Sequence, residues 1–246
     1  MEGTRCLFEP LRLGGMTLTN RIAVSPMCQY SAEDGAANDW HLQHLGSLSL
    51  SGAGLVIVEQ TAVEPTGRIT HGCLGLYSDA NEAALARVVG FCRRAGSAAL
   101  GIQLAHAGRK GSAKLPWEGG GPLPPDNGAW TTAAPSAISF DNRWPAPHEL
   151  DDAGLARIRD AHVEAARRAE RLGFDLVELL GAHGFSAAQL PLPDHQPAYR
   201  LLWWQAGQPH ALLARSGRCD PRGLAPPQGA RHAHYRHGLG RRRDHA

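Results

Sequence analysis

Residues 55–63, LVIVEQTAV, make a run of strand length in which apolar residues follow one another without alternation up to Glu59 and Gln60. A strand with one wet face alternates. A continuous run is expected where helices cover a parallel strand on both sides. Ile22 to Val24, Ala98 to Leu104 and Phe174 to Leu179 read the same way, the first ending at Pro26, which has no N–H for a further ladder bond. Helical patterns lie between these runs. Asp39 to Ser51 places Leu42, Leu45 and Leu48 on one face. Asp79 and Glu82, at capping-box spacing, open a helix carrying Leu85, Val88, Val89 and Cys92. Asp151 to Leu172 has acidic residues first, arginines late and Gly173 as its stop. This order predicts an α/β fold with parallel pairing and right-handed crossovers. Ahead of it, LRLGG and MTLTN predict a short hairpin turning at Gly14-Gly15.

The strand exits are chemically alike. GIQLAHAGR, residues 101–109, is an apolar strand that delivers Gln103, His106 and Arg109 toward one rim. The other runs end near Cys28 and Tyr30, at Thr61, and at His183. Gln103 is the hardest of these to assign to packing alone, because a buried amide needs partners. His106 and Arg109 are equally consistent with local capping of carbonyls. Glu59 and Glu178 admit a glycosidase pair or, more simply, a polar layer inside a barrel. His106 and His183 lack a neighbour at metal-ligand spacing, so no metal site is expected. Residues 107–148, with GGGPLPP, are too long for an ordinary connection and read as a functional or mobile loop.

Charge separates the chain into two parts. Residues 186–246 hold nine arginines and three aspartates, a net +6 against a whole-chain +2, which leaves −4 for residues 1–185. The tail has seven prolines and six histidines but no Val, Ile, Phe, Met, Lys, Glu, Asn or Thr, and no element is legible in it. Its arginines with Trp203-Trp204 and Tyr235 suit a nucleic-acid arm less well than they suit a bias in DNA composition, so no nucleic-acid partner is expected. Five cysteines without a C-x-x-C pair argue against a disulfide framework and for a reduced cytoplasmic setting. No run of apolar residues is long enough to span a bilayer, and the amino terminus does not read as a signal peptide, so no membrane partner is expected.

Taken together, LFEPLRLGGMTLTNRIAVSPMCQYS, LVIVEQTAVEPTGRIT, GIQLAHAGRK and GFDLVELLGAHGF resemble the Old Yellow Enzyme family, in its bacterial thermophilic-like branch of FMN-dependent ene-reductases. The resemblance covers most of residues 7–185. It implies a (β/α)8 TIM-barrel lineage with FMN at the carboxyl ends of the strands, of which about four units, residues 1–185, are recognisable here. It also implies NADPH or NADH as reductant, an electrophilic alkene as substrate, and a homo-oligomer among intact members. By position it assigns Pro26, Met27 and Cys28 to the flavin, Ala62 and Gln103 to the isoalloxazine ring, Tyr30 to the substrate, and His183 to the substrate carbonyl oxygen. The pattern departs at residues 180–185, LGAHGF. Leu180 stands where the family has a histidine, and Phe185 where it has the tyrosine expected to donate a proton. A catalytically inactive, truncated remnant is the alternative.

The tail also admits a reading in another frame. Trp203-Trp204 must be TGG TGG, and one base later this gives Gly-Gly, preceded by Tyr if Leu202 is CTA. Gln208 to Ala211 then permits Asn-Arg-Met-Arg, and Ser186 to Ala188 permits Leu-Leu-His. These agree in order with YGGSxENRxR and with the Leu-Leu-His that follow the fourth strand in the family. A frameshift after about residue 185 is therefore expected.

Overall fold

The computed structural model describes residues 6–186 and 204–205, all inside one compact unit that spans residues 1–216. The expected hairpin is present: β1 (Leu11–Leu13) pairs antiparallel with β2 (Met16–Leu18), and Gly14 turns it with φ +60°. Four strands then lie parallel in the order of their sequence: β3 (Ala23–Val24), β4 (Leu55–Ala62), β5 (Ala99–Ala105) and β8 (Leu176–Leu179). Helices α1 (Asp39–Ser49), α2 (Asp79–Ala95) and α3 (Asp152–Arg171) connect them, α3 following the long loop. That loop contains a two-residue parallel pair, β6 (Ala133–Ala134) with β7 (His148–Glu149). Within the tail, β9 (Trp204–Gln205) pairs antiparallel with β8, an element the sequence did not predict. The other expectations for the tail, including its frame, lie outside the described residues.

Both faces of β4 and β5 are covered, as the unbroken apolar runs require. Val56, Val58, Leu100, Ile102, Leu104 and Val177 share a core with Leu45, Leu85, Val88, Cys92, Ala165 and Phe174 from the helices and their junctions. Each such aliphatic or aromatic side chain contributes on the order of 1.5–3 kcal/mol when fully buried. On the opposite face, Ile57, Gly101 and Leu176 form one row. A Cβ on Gly101 would sit 3.0 Å from Leu176 Cδ2 and 3.3 Å from Ile57 Cγ1, so a side chain there would push these neighbours aside by a few tenths of an ångström.

The helix ends follow local chemistry, with one correction. Asp151 accepts from Gly154 N–H at 2.7 Å to start α3, and Gly173, at φ +83°, stops the helix as predicted. In α2, however, the cap is Ser78, whose hydroxyl accepts from Asn81 N–H at 3.1 Å. Asp79 already lies inside the helix, so the predicted Asp79–Glu82 box does not form. Glu82 instead faces α3, taking Arg168 at 2.6 Å and Arg171 through both carboxylate oxygens at 2.8 and 2.9 Å. Hydrogen bonds from these arginines hold its carboxyl below the usual range.

Candidate active site

The site begins with a fault in the ladder. Ile57 pairs with Gly101 and Val58 with Ile102, but the next pair is Gln60 with Gln103. A β-bulge has expelled Glu59 from the register, and bulges beside functional sites commonly re-aim a side chain in this way. The expelled Glu59, 4% exposed, accepts from Gln29 N–H at 3.0 Å and lies 3.5 Å from His41 Nε2. Gln60 takes the place beside Gln103. The row Gln60, Gln103, Glu178 thus lies one step nearer the strand exits than Ile57, Gly101, Leu176.

Gln103 is 7% exposed, and its Nε2 donates to Glu178 Oε1 at 2.6 Å. This contact fixes the orientation of the amide and leaves its second N–H and its carbonyl oxygen for another partner. Glu59 and Glu178 are therefore tied to different groups, and the polar-layer reading fits them better than a paired-carboxylate one.

After β3 the chain passes Pro26, which is half-buried, and Met27, which is 53% exposed, before it reaches Cys28 and Tyr30. The loop is held from below. Ala32 N–H donates to Gly72 O at 2.9 Å, and a Cβ on Gly72 would lie 2.3 Å from Tyr30 O. Tyr30 adopts φ +52° and packs edge-on against Trp117, with ring centroids 6.1 Å apart. Burial, then Cys73 and Glu59, push the Cys28 thiol up to about 12. Hydrogen bonds from the Tyr30 hydroxyl and the Gln60 backbone only partly offset that rise. Cys28 is accordingly a neutral thiol at ordinary pH, able to tune a neighbour through a weak S–H contact but not to act as a thiolate nucleophile. Burial likewise raises Tyr30.

The remaining positions are less uniform. Ala62 is fully buried, and its N–H and C=O are both taken, by Leu74 O at 2.8 Å and Leu76 N–H at 2.9 Å, so only its methyl group faces outward from the backbone. His183 stands exposed in a left-handed turn at φ +55°, its carbonyl accepting from Lys110 Nζ at 2.6 Å. The same ammonium lies 5.4 Å from the Phe185 ring and 5.0 Å from Phe140, which pins the long loop to the exit of β8.

His106 is not offered to the rim, in contrast to the expectation from GIQLAHAGR. It is 2% exposed, and its Nδ1 accepts from Gly108 N–H at 3.1 Å, which leaves Nε2–H to donate to Glu64 Oε1 at 2.9 Å. Ser186 Oγ donates to the same Nδ1 at 2.8 Å. Arg157 from α3 completes the group at Glu64. Burial alone would raise Glu64, but hydrogen bonds from His106, Arg157 and Thr66 outweigh it and hold the carboxyl at about 2. Nearby on α3, burial pulls His162 down to about 4. Sequence reasoning missed this network because its bonded members are separated by up to 93 residues.

A pH dependence follows, and both groups act in the same direction. Between about 4 and 6.5 the unfolded chain protonates His162 before the folded one does, and between about 2 and 4.5 the same holds for Glu64. Stability therefore falls as pH drops through each window in turn. We expect urea midpoints to be flat above pH 7 and to fall below 6.5. His162→Leu should reduce the upper slope, to which His44 also contributes, and Glu64→Gln the lower one, to which Glu82 also contributes; slopes unchanged from the parent in both variants would contradict the assignment.

Among the described residues no group of three or more His, Cys, Asp or Glu could hold a metal ion, and no helix is long and apolar enough to cross a membrane. Residues 6–194 match the profile of the NADH:flavin oxidoreductase / NADH oxidase family. Among curated relatives, an NADH:flavin oxidoreductase of Gibberella zeae is 40% identical over 196 residues, covering 78% of this chain and 47% of that protein. An NADPH dehydrogenase of Listeria monocytogenes is 43% identical over 189 residues, covering 76% and 51%. Among solved structures, morphinone reductase superposes with a TM-score of 0.63 at 29% identity, over 73% of this chain and 49% of that one. An old yellow enzyme homologue from Zymomonas mobilis gives 0.60 at 26%, over 73% and 49%. The chain spans about half the length of the curated relatives it matches. The solved neighbours are TIM barrels, and β3, β4, β5 and β8 with their helices share that barrel lineage.

Proposed function

Because this chain belongs to the NADH:flavin oxidoreductase / NADH oxidase family, we propose that it is an FMN-dependent NAD(P)H oxidoreductase acting on the activated C=C bond of α,β-unsaturated carbonyl compounds. Bound at the exits of β3, β4 and β5, FMN supplies hydride chemistry between the nicotinamide and the β-carbon of the alkene. The residues present fit the ring of such a group. Gln103, oriented by Glu178, retains a donor and an acceptor that match the alternating carbonyl and N–H edge of a flavin pyrimidine. Cys28 brings a neutral thiol, and Pro26 and Met27 an apolar wall. Ala62 contributes a methyl group. Tyr30 contacts the substrate, and His183 stabilises charge on the substrate carbonyl oxygen.

The observation that supports this reading most directly is Gln103, a buried amide at a strand exit with hydrogen-bonding capacity left over. The test is the absorption spectrum of the purified protein supplied with FMN, which should show the bands of bound flavin, bleach on addition of NADPH or NADH under argon, and recover with an enone. A colourless protein that takes up no added FMN rejects the proposal. A second reading, a chain that holds flavin without reducing alkenes, is favoured by one observation: Leu180 and Phe185 offer no hydrogen-bond donor at the exit of β8. In that case the bleached flavin would not recover with the enone.

A further inference from the structure

Gln29 sits between Cys28 and Tyr30, and each of its polar groups is engaged. Its main-chain N–H donates to Glu59 Oε2 at 3.0 Å, and its carbonyl oxygen accepts from Ser31 Oγ at 3.0 Å. Its Nε2 donates to Met27 O at 2.8 Å, and its Oε1 accepts from Trp40 Nε1 at 3.2 Å. Of these four bonds, the one to Glu59 ends on a charged group and reaches the sheet. Glu59 is 4% exposed, and a buried carboxylate is costly unless it is bonded. Val58 pairs with Ile102, so without the bulge residue 59 would pair with Gln103 and stand on the face assigned to the flavin. The bulge takes the carboxylate off that face and turns it to Gln29, beside the start of α1. There Asn38 N–H occupies His41 Nδ1 at 3.1 Å, and His41 Nε2 lies 3.5 Å from Glu59 Oε1.

We propose that Glu59 is a positioning residue, which through the main chain of Gln29 holds the segment that presents Cys28 and Tyr30 to the site. The inference rests on the reading that those two residues meet flavin and substrate, and it names the group that sets their place. Glu59 acts through Gln29. The pairing of β3 ties the segment before Pro26, and Ala32 N–H on Gly72 O at 2.9 Å ties it beyond Tyr30. The bond to Glu59 acts between these anchors, at the residue flanked by both side chains. Productive sites hold such groups to within about 0.5 Å, and a charge-assisted bond is the stronger means of doing so.

The test uses the full chain and compares Glu59→Ala, which removes the acceptor, with Glu59→Gln, which removes the charge and keeps an oxygen for the Gln29 N–H. Its first readout needs no flavin. It is the rate at which iodoacetamide alkylates Cys28, followed by mass spectrometry, with Cys92 in the α2 core as internal reference. Cys28 is a neutral thiol and should react slowly in the parent. In Glu59→Ala its rate should rise about 10-fold, the effect of one lost hydrogen bond to a charged group, with Cys92 unchanged. In Glu59→Gln the rise should stay below about 3-fold. The second readout uses the protein loaded with FMN. The enone concentration for half-maximal reoxidation should rise about 10-fold in Glu59→Ala and stay within about 3-fold of the parent in Glu59→Gln. An unchanged Cys28 rate or an unchanged enone dependence in Glu59→Ala would overturn the inference. So would an equal rise in both variants, which would put the effect in the charge, or Cys28 and Cys92 rising together, which would mean that Glu59 supports the whole fold. Cys28 responding as expected in a protein that binds no FMN leaves the placement of the segment standing and rejects the proposed function; FMN bound with Cys28 unresponsive does the reverse.

Discussion

With the barrel intact, Leu180→His combined with Phe185→Tyr is expected to accelerate reoxidation of the reduced flavin by an enone by about 100-fold, within the usual range for a positioned general acid. Reduction of the flavin by NAD(P)H should change by less than about 2-fold, since hydride delivery to the ring needs neither group. The structure gives the pair a physical context. Lys110 Nζ lies 5.4 Å from the Phe185 ring and 2.6 Å from His183 O, so a hydroxyl added to that ring would stand in the field of an ammonium. A nearby cation favours the phenolate and so makes the phenol a better acid. Leu180 is anchored through its backbone, N–H to Leu104 O at 3.0 Å, so its side chain can be exchanged without moving the strand exit. Stopped-flow measurement of the two half-reactions separates the effects. Equal changes in both would mean that the substitutions act on the flavin environment rather than on the protonation side.

The elements that were legible in the sequence share a property: their signals are local. The apolar runs of β4 and β5, the acid-to-base gradient of α3 and the glycine at position 173 each state their structure within a few residues. Capping was legible in kind and misplaced by one position at α2, because Ser78 and Asp79 are both good N-caps and only the backbone decides between them. The bulge at Glu59 was not legible. An apolar run buried on both faces has no alternation, so a skipped residue leaves no break in pattern. Gln60 was legible on the same physical ground as Gln103, as an amide inside an apolar run that needs partners once buried. The His106–Glu64–Ser186 network was invisible for a different reason: each member alone has an ordinary local role, and only the closure of β5 onto the exit of β8 joins them.

Moving the reading frame by one nucleotide after codon 185 is expected to have the largest effect of all. The residues of the tail constrain the nucleotides that encode them. TGG TGG at 203 and 204 leaves little choice, and three motifs of the family become readable in order, Leu-Leu-His, Tyr-Gly-Gly and Asn-Arg-Met-Arg. The arginine and proline excess of residues 186–246 is also what GC-rich DNA yields out of frame. We propose that the shifted frame encodes the later strands, whose loops in barrels of this kind form the phosphate site. On the proposed reading residues 6–186 offer the flavin ring polar partners, and a phosphate clamp adds charge-assisted hydrogen bonds of about 1.5–3 kcal/mol each. Two such bonds correspond to roughly 100-fold or more in affinity. The protein from the frame-corrected gene should therefore retain FMN through gel filtration, while the chain of residues 1–246 loses it, and fluorescence titration should show the difference directly. Sequencing comes first: if the nucleotides downstream of codon 185 contain no long open frame with these motifs, residues 186–246 are a genuine extension, whereas a corrected protein that binds FMN no more tightly rejects the phosphate site.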